Sequence, residues 1–179
     1  MGLALNRTSK KATTRPSDAA TLIIVRFDGP VPRILMGRRH HSHVIMPGKY
    51  VFPGGRTEPR DGRKAVAFEG HPVTVEKLKL RMGGKPSTSR ARGMQVAAIR
   101  ETFEETGLLV GQREAHHAPD LRGLIYFARA ITPPGRSRRF DSRFFVCDAA
   151  LVANLDLPHP IDIAELLALK WFTPSEAMD

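Results

Sequence analysis

The sequence predicts a single α/β domain, and three observations support this fold class. A run rich in β-branched residues at 21–27 and an apolar run bounded by arginines at 33–39 predict the first two strands of a sheet. Helical periodicity over residues 94–106 ends at Gly107, a residue type that commonly terminates helices. The length of 179 residues and the ordinary composition suit one domain with a substantial core.

The other elements follow from turn residues and composition. Glycine and proline around residues 40–63 predict a structured loop, and Pro72 is well placed in the first turn of a short helix. Thr173 followed by proline predicts a further helix start near the end of the chain. The predicted elements are a brief strand at 50–52, the short helix at 72–82, a linker at 83–93, and strands at 123–131, 142–152 and 166–173.

Charge and composition limit the function classes. The chain has 28 Lys and Arg against 18 Asp and Glu, and the net charge of +10 favours a phosphate-bearing ligand, nucleic acid or another anionic partner. Cys147 is the single cysteine, which excludes an internal disulfide and suits a reducing compartment. No apolar run is long enough to cross a bilayer. We therefore expect a cytoplasmic protein with no membrane association.

The N-terminal segment differs in composition from the rest of the chain. Residues 1–20 are basic, rich in small polar residues and nearly free of acids, which predicts a flexible tail; an organellar address is the alternative. Residues 21–179 are expected to form the domain.

Three glutamates cluster at the end of the main helix, in the stretch RETFEETG at 100–107. At about 100° per residue, Glu101, Glu104 and Glu105 share one helical face. Like charges at i,i+4 and the negative helix C-terminus each cost a few tenths to about 1 kcal/mol there. A bound Mg²⁺ or Mn²⁺ would remove this cost, and a solvated acidic surface is the alternative. The opposite face carries a predicted buried stripe of Val96, Ile99 and Phe103.

The same stretch resembles the second half of the Nudix box, R-E-U-x-E-E-x-G-U, where U is apolar. The match runs from Arg100 to Leu108, and only Thr102 departs, at a position where an apolar residue is usual. FPGG at 52–55 is similar to the glycine-rich entry of that box. The resemblance implies a Nudix-type α/β/α sandwich with a mixed β-sheet and a catalytic loop-helix-loop.

The first half of the box is altered. Asp61 stands where the family has its first glutamate. Either the side chain in that role is one methylene shorter, or Glu58 takes the role. Between Asp61 and Arg100 lie 38 residues where the usual box has seven, an insertion of 31 residues at about 62–93. Such a split box resembles the subgroup that includes peroxisomal acyl-CoA diphosphatases. The coenzyme A signature before the box matches at Leu35, Met36, Arg39 and Gly48 and departs at His40 and Val44.

The resemblance implies roles for the residues of the box. Glu101, Glu104 and Glu105 would bind Mg²⁺ or Mn²⁺ against a diphosphate that water attacks at phosphorus. Glu104 and Glu105 are both candidates for the base, and Arg100 would orient a carboxylate or contact phosphate. The predicted substrate-binding residues are Gly54 and Gly55 in the turn and Arg38, Arg39 and Lys49, for which ordinary surface charge is the alternative.

Other conspicuous residues have simpler interpretations. The histidines at 40, 41 and 43 lack acidic or cysteine partners in sequence, and we interpret them as loop residues. Tyr50 and Trp171 are interpreted as packing residues. The basic turn at 132–139 and the basic insertion are interpreted as solvated loops, with collection of a polyanion as the alternative.

The leading functional prediction is a divalent-metal-dependent hydrolase that cleaves a diphosphate linkage in a small nucleoside diphosphate derivative. Coenzyme A or an acyl-CoA is the first substrate class. The second interpretation is an RNA 5′-end pyrophosphohydrolase or RNA-binding protein, which the charge favours but which lacks aromatic residues interleaved with basic ones. The third is a non-catalytic Nudix-fold ligand sensor. The oligomeric state is open, with a homodimer included.

Overall fold

The computed structural model describes residues 15–41, 47–113, 117–156 and 166–178, which form an α/β fold with a mixed sheet. Residues 1–14 of the predicted tail, and also His43 and Val44, lie outside the described residues. The elements are β1 Ser17–Arg26, β2 Arg33–Arg39, β3 Tyr50–Val51, β4 Gly54–Arg56, α1 Pro72–Leu80, α2 Thr88–Thr106, β5 Ile125–Ile131, β6 Phe140–Asp148 and β7 Leu166–Phe172.

The sheet is organised around β1. One edge of β1 pairs in parallel with β6, and the other edge pairs antiparallel with β4 near its start and with β2 near its end. β5 extends the sheet from β6, while β3 and β7 pair with β2. β1 begins four residues before the predicted strand, because residues 17–20 pair with β6 and, from Ala19 onward, also with β4. β4 was not predicted, since its glycines are typical of a loop.

α2 lies at the centre of the fold. It begins at Thr88, where the Ser87 side chain accepts a hydrogen bond from the Arg90 N–H, so residues 88–93 are helix and the prediction of a linker there is wrong. It ends at Gly107 in the left-handed conformation, as predicted. Residues 93–100 are all buried, so burial extends well beyond the predicted stripe. Within that stripe Val96 and Ile99 are buried, but Phe103 is only half-buried.

The insertion folds against the core around α1. Its helix corresponds to the predicted one, and Leu78 and Met82 join the same hydrophobic cluster as α2 and the sheet. The Ser89 hydroxyl donates to the carbonyl of Gly62 at 3.1 Å, which holds the two ends of the insertion together. The long insertion therefore leaves the loop and the helix of the box in contact. This is expected because the entropic cost of closing a loop rises only with the logarithm of its length.

The remaining predictions differ in detail. Residues 149–151 form a short 3₁₀ turn after β6 and not the end of that strand. Residues 174–178 form turns, and there Thr173 and Glu176 exchange hydrogen bonds. Tyr50 packs edge-to-face on Phe172, with ring centroids 4.8 Å apart, as its predicted packing role requires. Among the described residues, no helix has the length and apolarity needed to cross a membrane.

Candidate active site

The Gly-Gly turn brings β4 directly against the acidic end of α2. The N–H of Gly54 donates to Glu105 Oε2 at 2.8 Å, across 51 residues of sequence. A Cβ atom at Gly54 would collide with the carbonyl of Ala20, and one at Gly55 would overlap the Glu101 carboxylate. The two glycines are therefore required for this close approach of backbone and carboxylates.

Glu101 and Glu105 face a cavity of about 780 Å³. Its floor is formed by the start of β1 and the start of β6, and one wall is the Gly54–Arg56 strand. Glu105 is only 5% exposed and the side chain of Glu101 18% exposed. Two carboxylates from successive turns of α2 are thus presented, partly desolvated, to one enclosed space.

Arg100 lies behind these carboxylates and connects the acidic groups. Its Nη1 donates to Glu101 Oε1 and to Glu104 Oε2, both at 2.9 Å. Its Nε and Nη2 bind the two oxygens of Asp61 at 3.0 and 3.1 Å, and Nη2 also donates to the carbonyl of Arg56 at 2.9 Å. The side chain of Arg100 is 8% exposed, so one buried cation joins the loop, β4 and α2.

Asp61 has both carboxylate oxygens occupied. Besides the two bonds from Arg100, its Oδ2 accepts from the backbone N–H of Glu58 at 2.7 Å, and the residue is 1% exposed. Asp61 is absent from the lining of the cavity, and the Glu58 carboxylate is paired at the surface with Arg60. The geometry makes Asp61 the anchor of Arg100, although it is one methylene shorter than the expected glutamate.

The three helical glutamates have different surroundings. Glu104 is half-exposed and lines a neighbouring depression of about 570 Å³ together with Arg60 and Asp61. Glu101 and Glu105 line the larger cavity. Glu101 and Glu104 both accept from Arg100 Nη1, but the two side chains line different cavities.

The pKa values of Glu101 and Arg100 are both shifted in the folded protein. Desolvation raises the pKa of Glu101 above its ordinary value of 4.5, and the nearby charge of Arg100 opposes this rise only in part. Burial by itself would lower the pKa of Arg100. Hydrogen bonds and charge from Asp61 and Glu101 outweigh this effect, so the pKa of Arg100 is raised above its ordinary value. Glu101 is thus a carboxylate whose negative charge the surrounding protein compensates incompletely.

Comparison with known proteins shows what this chain is similar to. No family model matches the chain. A crystal structure of a NUDIX hydrolase from Alicyclobacillus acidocaldarius superposes with a TM-score of 0.64 and 28% identity, covering 92% of this chain and 82% of that one. Acyl-coenzyme A diphosphatase NUDT19 of Homo sapiens is 26% identical over 214 residues, covering 82% of this chain and 55% of that protein. The Xenopus laevis NUDT19 is 24% identical over 208 residues, with 82% and 54% coverage.

In fold and in sequence the chain resembles the Nudix hydrolases. The expected Nudix fold, with its mixed sheet and loop-helix-loop, is confirmed. The chain spans about half the length of the curated relatives it matches. Thr102, the one departure in the second half of the Nudix box, is fully buried, and its hydroxyl donates to the carbonyl of Ala98 at 2.7 Å. A threonine fits this position because the helix itself satisfies the hydroxyl.

The predicted substrate-binding residues are not all at the Nudix cavity. Gly54, Gly55 and Arg39 line it. Arg38 and Lys49 are exposed and do not. Successive residues of a strand point to opposite faces, so only one of the adjacent arginines on β2 reaches the cavity. His40 and His41 are exposed and also lie outside its lining.

Sequence reasoning missed the opposite rim of the cavity. This rim is the turn between β5 and β6, where Arg136, Ser137 and Arg138 line the same space as Glu101 and Glu105. Sequence alone predicts a solvated loop for this turn, with collection of a polyanion as the alternative. Its composition was visible in the sequence, but its position depends on the parallel pairing of β1 with β6. Arg56 on β4 also lines the cavity and was not predicted.

The donor groups suit a hard divalent cation. Mg²⁺ is commonly bound by one or two carboxylates together with water and substrate phosphates, and the cavity presents two carboxylates. In the described part of the chain, no cluster of three or more acidic, histidine or cysteine side chains is arranged for metal binding.

Proposed function

We propose that this protein is a divalent-metal-dependent hydrolase that cleaves a diphosphate linkage in a nucleoside diphosphate derivative. The observation that carries the proposal is the 780 Å³ cavity, which has the Glu101 and Glu105 carboxylates on one side and arginines on the other. Carboxylates that hold a cation and guanidinium groups that bind phosphate are the two components that phosphoryl transfer to water requires.

Glu101 and Glu105 are the residues that would hold Mg²⁺ or Mn²⁺. Such an ion, when bound, neutralises charge on the diphosphate oxygens and lowers the pKa of water. Its charge would also offset the desolvation of Glu101. Glu104, the third predicted ligand, lines the neighbouring depression and not this cavity, so we assign it a secondary role.

Glu105 is the better placed of the two candidate bases. It faces the cavity, and the Gly54 N–H fixes one of its oxygens. The carboxylate can accept a proton from the attacking water in a space that is partly closed to solvent. Glu104, half-exposed on the far side of Arg100, has no such access to the cavity.

The cationic side chains at the cavity would bind the phosphates. Arg39 and Arg56 lie closest in the chain to the Gly-Gly turn, and a guanidinium matches the geometry of phosphate oxygens. Arg100 is fully engaged with three carboxylates and a carbonyl, so we assign it a positioning role and no contact with substrate.

Coenzyme A or an acyl-CoA is the substrate class that we propose. Two of the relatives are named as acyl-coenzyme A diphosphatases, and the partial coenzyme A signature includes Arg39, which lines the cavity. The net charge of +10 favours RNA as the second candidate substrate.

A substrate panel tests this proposal. The protein is incubated with Mg²⁺ or Mn²⁺ and coenzyme A, an acyl-CoA, NADH, ADP-ribose, a dinucleoside polyphosphate or 5′-triphosphate RNA, and the products are separated by chromatography. We expect coenzyme A or the acyl-CoA to have the highest kcat/KM. Preferred hydrolysis of the RNA would support the second candidate, and turnover of none of them would contradict the hydrolase proposal.

Metal binding can be measured independently of turnover. A cation at 100 times its Kd stabilises the fold by about 2.7 kcal/mol, which corresponds to a rise in Tm of about 5–10 °C for a chain of this size. We expect this rise with Mn²⁺ at neutral pH and its loss in Glu101→Gln. The exposed Glu76→Gln on α1 is the matched control and should keep the full rise. An equal rise in both variants would exclude Glu101 as a ligand.

The pH dependence follows from the raised pKa of Glu101. In the metal-free protein the folded state binds the Glu101 proton more tightly than the unfolded state does. The contribution of this group to stability is therefore full below the ordinary pKa of 4.5 and decreases as pH rises through the raised value. Metal competes with that proton, so the Mn²⁺-dependent rise in Tm should disappear as pH falls through the same range.

A further inference from the structure

The turn between β5 and β6 carries two arginines, Arg136 and Arg138, that line the cavity. Among the described residues, Arg136 and Arg138 form no ion pair, whereas the neighbouring strand residue Arg129 binds Asp141 at 2.7 Å. Both arginines line the cavity that contains Glu101 and Glu105. Two guanidinium groups are thus available to an anion inside the proposed active site.

The turn is anchored at its base. The N–H of Thr132 donates to the carbonyl of Phe140 at 2.9 Å, and the Phe140 N–H donates to the Thr132 hydroxyl at 3.0 Å. Arg139 Nε donates to the Thr132 carbonyl at 3.0 Å, and Gly135 takes a positive φ of 88° within the turn. Such anchoring reduces the entropy that ligand binding must remove from this loop.

The turn leaves β5, which lies across the sheet from β4, the strand that contacts Glu105. Gly55 on β4 pairs with Ala20 on β1, Ala20 pairs with Arg143 on β6, and Arg143 pairs with Arg129 on β5. Three strand spacings separate the two outer strands, about 14 Å. A diphosphate held at Glu101 and Glu105, beside β4, would leave the turn next to β5 to a separate anionic group of the same ligand.

We propose that Arg136 and Arg138 form a subsite for a second, remote phosphate, which makes the enzyme selective for nucleoside diphosphate derivatives that carry an additional phosphomonoester on the ribose. The half-buried Phe140 and the hydroxyls of Thr132 and Ser142 line the cavity between the two ends. They provide an aromatic and polar floor for the nucleoside that connects the phosphates. This subsite rests on the proposed function, because the reacting diphosphate defines its other end.

The first test compares substrates that differ only in the remote phosphate. With Mg²⁺, wild-type kcat/KM is expected to be about tenfold to a hundredfold higher for coenzyme A than for 3′-dephospho-coenzyme A. This is the difference that one or two charge-assisted hydrogen bonds to the remote phosphate would produce. In the double variant R136A/R138A this ratio should fall towards one. The control variant R81A/K85A removes the same charge from exposed positions outside the cavity and should keep the ratio. Thermal denaturation verifies that both variants are folded.

The second test needs no turnover. In metal-free buffer, calorimetry compares 3′,5′-ADP, whose phosphates are separated, with 5′-ADP, whose phosphates are adjacent. We expect wild type to bind 3′,5′-ADP at least about tenfold more tightly and R136A/R138A to lose the difference. Equal binding of the isomers by wild type, or a difference that survives in R136A/R138A, would overturn the subsite. Absence of hydrolysis with every substrate would instead contradict the proposed function, and the calorimetry would still decide the subsite.

Discussion

Glu105→Gln is expected to lower kcat/KM for diphosphate hydrolysis by about 10²- to 10⁴-fold, the usual contribution of a positioned proton acceptor. The substitution removes the charge but keeps an oxygen that can accept the Gly54 N–H, so the contact between β4 and α2 should persist. Steady-state kinetics at saturating metal measures the loss, and an unchanged Tm shows that the fold is retained.

Glu104→Gln is the matched control for this variant. The two glutamates are adjacent in sequence, but Glu104 is half-exposed and lines the depression on the other side of Arg100. We expect its loss to be at least tenfold smaller than that of Glu105→Gln, because only Glu105 faces the cavity. A larger loss in Glu104→Gln would reverse our assignment of the base.

Asp61→Asn is expected to have the largest effect on stability. It breaks a buried ion pair in which both oxygens of Asp61 accept from Arg100, and loss of one partner from such a pair costs about 3–5 kcal/mol. For a chain of this length, this corresponds to a decrease in Tm of about 6–20 °C. Because Arg100 also holds Glu101, the carboxylates should shift and activity should fall as well.

Asp120→Asn provides a control with the same chemistry at the surface. Asp120 accepts from the Arg122 guanidinium with both oxygens, but the side chain of Arg122 is 59% exposed and that of Asp120 30% exposed. Exposed pairs contribute about 1 kcal/mol or less, so its Tm should change little. Equal decreases in the two variants would show that Asp61 does not anchor the site.

Local sequence signals predicted the elements whose formation depends on nearby residues. The end of α2 at Gly107 followed from glycine's tolerance of positive φ, and α1 from Pro72 at its first turn. The start of α2 was misplaced because Ser87, its N-cap, lies within small polar residues that are equally typical of a linker. The Nudix box motif pointed to Glu101 and Glu105, which do face the cavity.

Long-range pairing accounts for what sequence reasoning missed. β4 exists because residues 54–56 pair with β1, and the glycines there carry no strand preference of their own. The contact of Asp61 with Arg100 spans 39 residues. The box resemblance made Asp61 a candidate acid and implied that Arg100 orients a carboxylate, but no local signal pairs these two residues. Arg136 and Arg138 reach the cavity because the parallel pairing of β1 with β6 carries the β5–β6 turn to that side. The sequence shows the positive charge of these arginines, but their position at the cavity depends on how the strands pair.

Hydrolysis of coenzyme A in ¹⁸O-labelled water tests the central claim most directly. The reaction is run with Mg²⁺ or Mn²⁺, with and without chelator, and the products are analysed by mass spectrometry. We predict two phosphate-containing products, with one ¹⁸O atom in a phosphate of one of them, and loss of both products on chelation or in Glu105→Gln. No cleavage by the wild-type protein, or cleavage that neither chelation nor Glu105→Gln reduces, would contradict the assignment of this cavity as a metal-dependent diphosphatase site.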